Sequence, residues 1–278
     1  MGLRQKSLAA SGFYSSYARI VPKLAANLSM LFPQLEFLDR FAAAAKAGFR
    51  FVEYQFPYRW PAAEVARRAR GAGVEVVLHN FPQGDSAKGD RGIACLPGRE
   101  AEFREHTERA LEYARLAGCK RLHCPAGVAP QGADGARLHA TFVSNLREAA
   151  RRLAMEGIEL LLEPINQRSV PGYFLSRSSQ AVAILDEIAA PNARLQYDVF
   201  HMQIMEGDLA KSIERLLPRI GHIQIADVPD RHEPGTGEIN FDYLLAHLDA
   251  VGYAGWVGCE YNPKGDTLEG LKWARPYL

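Results

Sequence analysis

Short apolar or β-branched runs alternate with longer amphipathic stretches along most of the chain. Short runs of this kind are typical of buried strands, and amphipathic stretches are typical of helices that lie on a core. The runs predict strands over 24–28, 51–54, 74–78, 121–124, 158–162, 195–197, 222–225 and 256–259. The amphipathic stretches predict helices over 37–47, 62–71, 100–117, 138–155, 179–189, 209–217, 243–250 and 268–274. The chain is therefore predicted to consist of consecutive strand–helix units.

The helical period is clearest over 100–117. Its predicted buried face consists of Phe103, Thr107, Ala110, Leu111, Ala114 and Leu116. The segments AGF, GAGV, AGC and EGI place glycine just past four of the predicted helices. Glycine is the preferred residue at that position, so these segments support the predicted helix ends.

Roughly eight strand–helix units in about 250 residues match a closed parallel barrel with helices outside. An open doubly wound sheet is the alternative, and a glycine-rich phosphate loop after the first strand would favour it. The residues there are instead Asn27-Leu28-Ser29-Met30. We therefore predict the α/β class and a single (β/α)8 TIM barrel as the catalytic domain over residues 23–278.

Residues 1–22 contain no acidic residue and several of Arg, Lys and Ser. This composition faintly resembles a transit peptide, but no apolar segment of a secretory signal follows the basic residues. The plainer interpretation is a poorly ordered N-terminal extension ahead of the barrel.

Composition and charge exclude several classes of protein. The 33 Lys and Arg against 32 Asp and Glu give a formal net charge of +1, so no global field attracts nucleic acid or an anionic membrane. The sequence contains no run of about 18 apolar residues, so no membrane-spanning helix is predicted. The cysteines, which form no C-x-x-C pair, are interpreted as reduced core thiols of a cytoplasmic protein. They are Cys95, Cys119, Cys124 and Cys259.

Polar residues stand at the ends of four successive predicted strands: Glu163, Asp198, Gln224 and Glu260. In a barrel these strand ends converge on one mouth, where the active sites of such folds lie. A single carboxylate at a strand end is equally well explained by a salt bridge or a helix cap. Three carboxylates and one amide at four successive strand ends favour a shared cation. Because oxygen ligands suit hard cations, we predict Mg²⁺ or Mn²⁺ and no organic cofactor.

Further residues are candidates for substrate binding at the same mouth. They are His201, Arg231, His79, Asn80 and Glu233, with Lys264 as a weaker candidate for an anion. Arg offers a planar fork for a carboxylate, whereas a lone His is often structural. The irregular stretches 81–97 and 164–175 follow the third and fifth strands and are predicted to be loops over the mouth.

From about residue 24 onward the chain resembles the hydroxypyruvate isomerase family of the xylose isomerase-like barrels. The resemblance rests on LLLEPIN, QYDVFHMQIMEGDL, IQIAD with EPGTGEIN, and GCEYNP. It implies an isomerase that interconverts hydroxypyruvate and tartronate semialdehyde through an enediolate. It also implies that Glu163 and Glu260 serve as proton donor and acceptor at the metal. Asn262 departs from the family pattern, which has Lys there, and this puts substrate anchoring in question.

Other functions remain open at this point. A 2-oxo-tetronate isomerase or a ketose 3-epimerase would use the same enediolate chemistry. An endonuclease-IV-like phosphodiesterase would need more histidines for a multi-zinc cluster, whereas the chain has 8 in all. A non-catalytic sugar-acid binder would leave the two glutamates unexplained. The expected partner is a small hydroxy-carbonyl acid, and the sequence leaves a homo-oligomer open.

Overall fold

The computed structural model describes residues 22–278, which form a closed barrel of eight parallel strands. The strands are β1 Lys23–Asn27, β2 Phe51–Tyr54, β3 Glu75–Asn80, β4 Arg121–His123, β5 Glu159–Leu162, β6 Ala193–Asp198, β7 Ile220–Ile225 and β8 Trp256–Cys259. Each strand pairs with the next, and β8 pairs with β1. The predicted (β/α)8 TIM barrel is therefore confirmed.

Helices connect the strands on the outside of the barrel. They are α1 Phe37–Lys46, α2 Ala62–Ala72, α3 Glu100–Ala117, α4 Gly135–Ala154, α5 Ser178–Ile188, α6 Val199–Met205, α7 Leu209–Leu216, α8 Phe241–Ala250 and α9 Thr267–Gly270. Short 3₁₀ segments cover Ser86–Lys88, Leu217–Arg219 and Leu271–Tyr277. Gly73 and Gly118 end α2 and α3 in the left-handed conformation, at φ 70° and 72°, as the glycine pattern predicts.

The inner face of α3 agrees with its predicted period except at one position. Phe103, Thr107 and Ala114 are buried, but Leu116 is 45% exposed, so its assignment to the buried face is wrong. At about 100° per residue, Leu116 is turned well away from the stripe that runs through Ala114. Tyr113 lies on the buried side instead.

The cysteines are all buried and free, as expected for core thiols. Among residues 22–278, no helix combines the length and apolar character needed to cross a membrane. The predicted N-terminal extension lies, apart from Pro22, outside the residues that the structure describes.

Candidate active site

The four strand-end residues lie at the same end of the barrel. Glu163 directly follows β5, Asp198 is the last residue of β6, Gln224 lies near the end of β7, and Glu260 directly follows β8. Each of these residues is at most 5% exposed. Because the strands are parallel, their carboxyl ends meet at one mouth, and three carboxyl groups and an amide are concentrated there.

Asp198 has two roles that follow from its position between β6 and α6. Its Oδ1 accepts a hydrogen bond of 2.8 Å from the backbone N–H of Phe200 and so caps α6. Its Oδ2 lies 3.4 Å from Nε2 of His201. Glu163, Asp198 and His201 offer potential ligand atoms that all lie within 4.8 Å of one another. Glu260 is not a member of this group.

The hydrogen bonds of His201 determine which nitrogen carries its proton. The Asn166 side-chain amide lies 2.6 Å from Nδ1, and the Asn166 backbone N–H donates to the same atom at 3.4 Å. The side-chain oxygen of Asn166, Oδ1, already accepts a hydrogen bond from the backbone N–H of Ser169. The side-chain nitrogen of Asn166 therefore faces the imidazole ring. Nδ1 is thus the acceptor, and the proton resides on Nε2, which faces Glu163 and Asp198. In this tautomer His201 presents a hydrogen-bond donor to Glu163 and Asp198, and its predicted binding of substrate stays a prediction.

Glu260 is held by donors on both of its oxygens. Asn27 Nδ2 and Gln55 Nε2 donate to Oε1 at 3.1 and 3.0 Å. Arg231 Nη2 donates to Oε2 at 2.6 Å and also to Asp198 Oδ2 at 3.0 Å. The guanidinium therefore joins the ends of β6 and β8, and the sequence-predicted Arg231 reaches the mouth. Its binding of substrate stays a prediction.

The loop after β7 is built to place Arg231. The Asp227 carboxylate accepts five backbone N–H bonds, from Val228, Gly235, Thr236, Gly237 and Ile239. Arg231 itself has a φ of 60°, which is strained for a non-glycine residue. The Asn262 backbone N–H donates to the Arg231 carbonyl at 2.8 Å. Asn262 thus contributes through its backbone, whatever its side chain.

A buried glutamate that the sequence analysis missed connects the two catalytic candidates. Glu53 on β2 is 0% exposed and accepts from Asn27 Nδ2 at 2.9 Å and from Gln224 Nε2 at 2.8 Å. His222 Nε2 lies 2.6 Å from its other oxygen. Gln196 completes the network, because its Nε2 donates to Gln224 Oε1 at 2.6 Å and to Glu163 Oε2 at 3.1 Å. An acid inside the apolar run FVEY is the signal that could have identified Glu53.

Burial shifts the pKa values of the acids and imidazoles at the mouth. Burial and the neighbouring Glu260 and Asp198 carboxylates raise the pKa of Glu163 well above its usual range. Burial raises the pKa of Glu260 to about 7 and also raises that of Asp198. Burial lowers the pKa of His201 far below its usual value. A carboxyl pKa near neutrality suits a group that both takes up and releases a proton.

A cavity of about 240 Å³ opens above these residues. Both glutamates line it, as do residues of the two irregular stretches that are predicted to cover the mouth. The complete lining consists of Gln55, Phe56, Asn80, Gln83, Arg91, His123, Pro125, Glu163, Ile165, Val170, Tyr173 and Glu260. His123, which the sequence analysis also missed, is 2% exposed, and neither of its nitrogens has a hydrogen-bond partner among residues 22–278. Its Nδ1 lies 3.4 Å from Glu163 Oε2. The signal was a histidine at the end of the run RLHC.

Seven of the predicted residues are not in the cavity lining. Four of them, Asp198, His201, Gln224 and Arg231, belong to the contacts around Glu163 and Glu260 described above. The other three have different surroundings. His79 stacks on Tyr54, with ring centroids 5.7 Å apart, although the adjacent Asn80 does reach the lining. Glu233 accepts the backbone N–H of Lys264 at 2.9 Å and so ties the loop after β7 to the segment after β8. The exposed Lys264 lies outside the lining. Roles of these three in substrate binding stay predictions without support from the geometry.

The mouth has the composition expected of a site for a divalent cation. Four buried carboxyl groups, those of Glu53, Glu163, Asp198 and Glu260, lie at the mouth, and Arg231 forms ion pairs with two of them, Asp198 and Glu260. Buried carboxylates are costly unless cations neutralise them. Oxygen donors from Glu163 and Asp198 match the ligands of Mg²⁺ or Mn²⁺. The residues present therefore fit a divalent metal.

Comparisons with known proteins agree with the fold. A family model described as "Xylose isomerase-like TIM barrel" matches residues 41–277. A 2-oxo-tetronate isomerase of Cupriavidus necator is 51% identical over 93% of this chain and 99% of its own length. A hydroxypyruvate isomerase of Escherichia coli is 48% identical over 92% of this chain and 99% of its own.

A solved structure from Brucella melitensis, described as an AP endonuclease, family 2, superposes with a TM-score of 0.90 at 47% identity. The superposition covers 92% of this chain and 99% of the Brucella chain. The chain therefore belongs to the xylose isomerase-like TIM barrel family. Within that family it is an isomerase, as its Cupriavidus and Escherichia relatives are.

Proposed function

We propose that this isomerase interconverts hydroxypyruvate and tartronate semialdehyde by moving a proton between adjacent carbons. The observation that carries the proposal is that Glu163 and Glu260, both 5% exposed, line one small cavity. Two carboxyl groups across one bound molecule can act as base on one carbon and as acid on the next. The name of the Escherichia coli relative supports this choice of substrate.

The size of the cavity supports a small substrate. Its volume of about 240 Å³ lies below the 300–1,000 Å³ typical of pockets for drug-sized ligands. A three-carbon hydroxy-carbonyl acid is compatible with such a space.

In the forward direction, one glutamate removes a proton from C3 of hydroxypyruvate, the proton of the C3 hydroxyl passes to the oxygen on C2, and the enediolate receives a proton at C2. Arg231, Asn27 and Gln55 hold Glu260 in position for this transfer. His201 presents its Nε2–H toward the site and can donate to a substrate oxygen as charge develops there. Burial of both carboxyl groups excludes water from the proton transfer.

Glu163 and Asp198 would hold a divalent cation, Mg²⁺ or Mn²⁺, with Gln224 and Glu260 as further ligands. When bound, such a cation supplies a Lewis acid beside the substrate oxygens. The amide of Gln224 already bonds Glu53 and Gln196, which fixes its orientation. The buried, free cysteines support a reducing, cytoplasmic location.

The second candidate substrate is 2-oxo-tetronate, which the name of the Cupriavidus relative favours. It is one carbon longer and isomerises through the same kind of enediolate. A ketose 3-epimerase would use this chemistry on a neutral sugar. No observation at the described site favours a neutral sugar over an acid.

Nucleic-acid cleavage is not supported, although the Brucella structure bears the name of a nuclease. The net charge of +1 provides no general attraction for a phosphate backbone. Among residues 22–278, one group of side chains has the spacing of a metal site, and two of its three members are carboxylates. A multi-zinc cluster would need more nitrogen ligands.

The experiment is proton NMR of the metal-supplied enzyme in D₂O with hydroxypyruvate, 2-oxo-tetronate and a set of ketoses in turn. We expect loss of the hydroxypyruvate C3 signal and appearance of the product aldehyde hydrate, at a higher kcat/KM than for the other compounds. Turnover of 2-oxo-tetronate with no turnover of hydroxypyruvate would transfer the assignment to the longer acid. Cleavage of an abasic-site duplex without any isomerisation would refute the proposal.

A further inference from the structure

The proposed substrate is an anion, yet the carboxyl groups of Glu163 and Glu260 line the cavity that would receive it. Like charges in a partly buried space repel each other, so the substrate carboxylate needs its own cationic partner. Arg231 is already engaged, because its Nη2 donates to Asp198 and Glu260 and its Nε to the Glu260 carbonyl at 3.3 Å. A second cationic side chain in the cavity lining, without a carboxylate partner of its own, is therefore the better candidate to bind the substrate carboxylate.

Arg91 lines the same cavity and comes from the loop between β3 and α3. The one hydrogen bond that its side chain makes within the described part of the chain is local, from Nη1 to the carbonyl of Asp90 at 2.9 Å. None of the ion pairs found among residues 22–278 includes Arg91. The remaining N–H groups of its guanidinium are thus available to a ligand.

The acid next to Arg91 in the chain is occupied elsewhere. Asp90 Oδ1 accepts from Arg99 Nη1 at 2.8 Å, and Oδ2 accepts the backbone N–H of Asp85 at 2.8 Å. Asp90 therefore stabilises the turn and leaves the Arg91 charge uncompensated.

The backbone next to Arg91 is closely packed. Gly92 has a φ of 105°, and a Cβ at this residue would lie 2.3 Å from the carbonyl oxygen of Pro125. Its N–H donates to the Gln83 carbonyl at 2.8 Å, and it forms an antiparallel bridge with Ala126. This contact with the segment after β4 fixes where the Arg91 side chain begins, beside Gln83 and Pro125 in the cavity lining.

We propose that Arg91 binds the carboxylate of the substrate and makes the site selective for hydroxy-carbonyl acids over neutral ketoses of the same length. A planar guanidinium can donate two parallel hydrogen bonds to a carboxylate. The barrel order separates the strand before Arg91, β3, from β5 and β8, which carry the glutamates. The carboxylate is thereby held by a part of the barrel other than the strands that carry the glutamates. This inference rests on the proposed function for its substrate class.

Two matched pairs of compounds isolate the carboxylate. Hydroxypyruvate and dihydroxyacetone differ by a carboxylate in place of a hydroxymethyl group, and both can isomerise through an enediol. Glycerate and glycerol differ in the same way and are unreactive, so their binding, measured by calorimetry at fixed ionic strength, does not depend on turnover.

In Arg91→Ala we expect KM for hydroxypyruvate and Kd for glycerate to rise about 10- to 100-fold, since a hydrogen bond to a charged group is lost. The ratio of kcat/KM for hydroxypyruvate to that for dihydroxyacetone should fall by a similar factor. Arg91→Lys should lie between, because it keeps the charge but not the planar fork. The matched control is Lys88→Ala, which removes a cationic side chain from the same loop. The Lys88 side chain is 82% exposed and lies outside the cavity lining.

The possible outcomes separate the inference from the proposed function. If Arg91→Ala stays within twofold of the unmodified enzyme in both KM and glycerate affinity, Arg91 is not the carboxylate partner, while the isomerase assignment stands. An equal loss in Lys88→Ala would show a general charge effect and would also overturn the inference. If the enzyme does not isomerise hydroxypyruvate but binds glycerate through Arg91, the substrate assignment fails and the carboxylate site stands.

Discussion

Glu163 and Glu260 line the same cavity, but their surroundings differ. Glu260 accepts hydrogen bonds from three side chains, one of them the Arg231 guanidinium. Glu163 accepts one, from Gln196 on Oε2, and its Oε1 accepts none from the described residues. Burial and neighbouring carboxylates raise the pKa of both glutamates and Arg231 opposes the rise at both, while at Glu260 the hydrogen bond from Gln55 opposes it further. Glu260 is thus a fixed group, and Glu163 retains the capacity to accept a cation or a proton.

The largest effect on stability should follow from removing the guanidinium of Arg231, which pairs with Glu260. Arg231→Met leaves the buried Asp198 and Glu260 carboxylates without their guanidinium partner. We expect the free energy of unfolding to fall by about 3–5 kcal/mol, as for broken buried ion pairs. Urea denaturation of the chelator-treated protein measures it. A loss below about 1 kcal/mol would mean that Arg231 does not hold the two strand ends together.

A smaller effect is expected on the Glu163 side. Gln196→Met removes the single donor to Glu163 and the 2.6 Å bond to Gln224 while keeping a similar length. The expected loss is about 1–3 kcal/mol, because buried acceptors remain without a partner. The same urea titration compares the two variants. A loss that equals or exceeds that of Arg231→Met would reverse the assignment of which glutamate is more firmly held.

The smallest effect should come from an exposed ion pair far from the mouth. Arg67 pairs with Glu64 on α2 at 2.6 Å, and its side chain is 64% exposed. Arg67→Ala should change the free energy of unfolding by no more than about 1 kcal/mol and leave turnover intact. A larger change would show that the denaturation assay does not isolate effects of burial.

The fold could be predicted because each strand is a short apolar run and each helix has its own period. The predicted and observed bounds of elements differ where one element follows another without a connecting loop. Helix α6, Val199–Met205, was not predicted because Asp198 both ends β6 and caps the helix. The predicted last helix over 268–274 is instead the one-turn α9 followed by a 3₁₀ segment that contains Pro276. Proline cannot continue regular helix hydrogen bonding.

The candidate site could be predicted only in part. Glu163, Asp198 and Glu260 were identifiable because acids end three of the last four predicted strands, which meet at one mouth of a barrel. Glu53 was missed because it lies inside β2, and its partner His222 is 169 residues away in the chain. Contacts across the barrel of this kind leave no local signal. The pairing of Arg231 with two carboxylates likewise depends on how the loop after β7 folds.

The central claim is that both glutamates transfer the proton, and paired Gln substitutions test it most directly. Glu163→Gln and Glu260→Gln keep side-chain size but remove the proton-accepting carboxylate. The measurement is kcat for hydroxypyruvate at saturating Mg²⁺ or Mn²⁺, with metal occupancy determined separately and deuterium uptake from D₂O followed by NMR. We predict that kcat falls about 10²–10⁴-fold in each variant, more than affinity falls. If both variants bind metal and retain near-native turnover, the two-glutamate mechanism is contradicted.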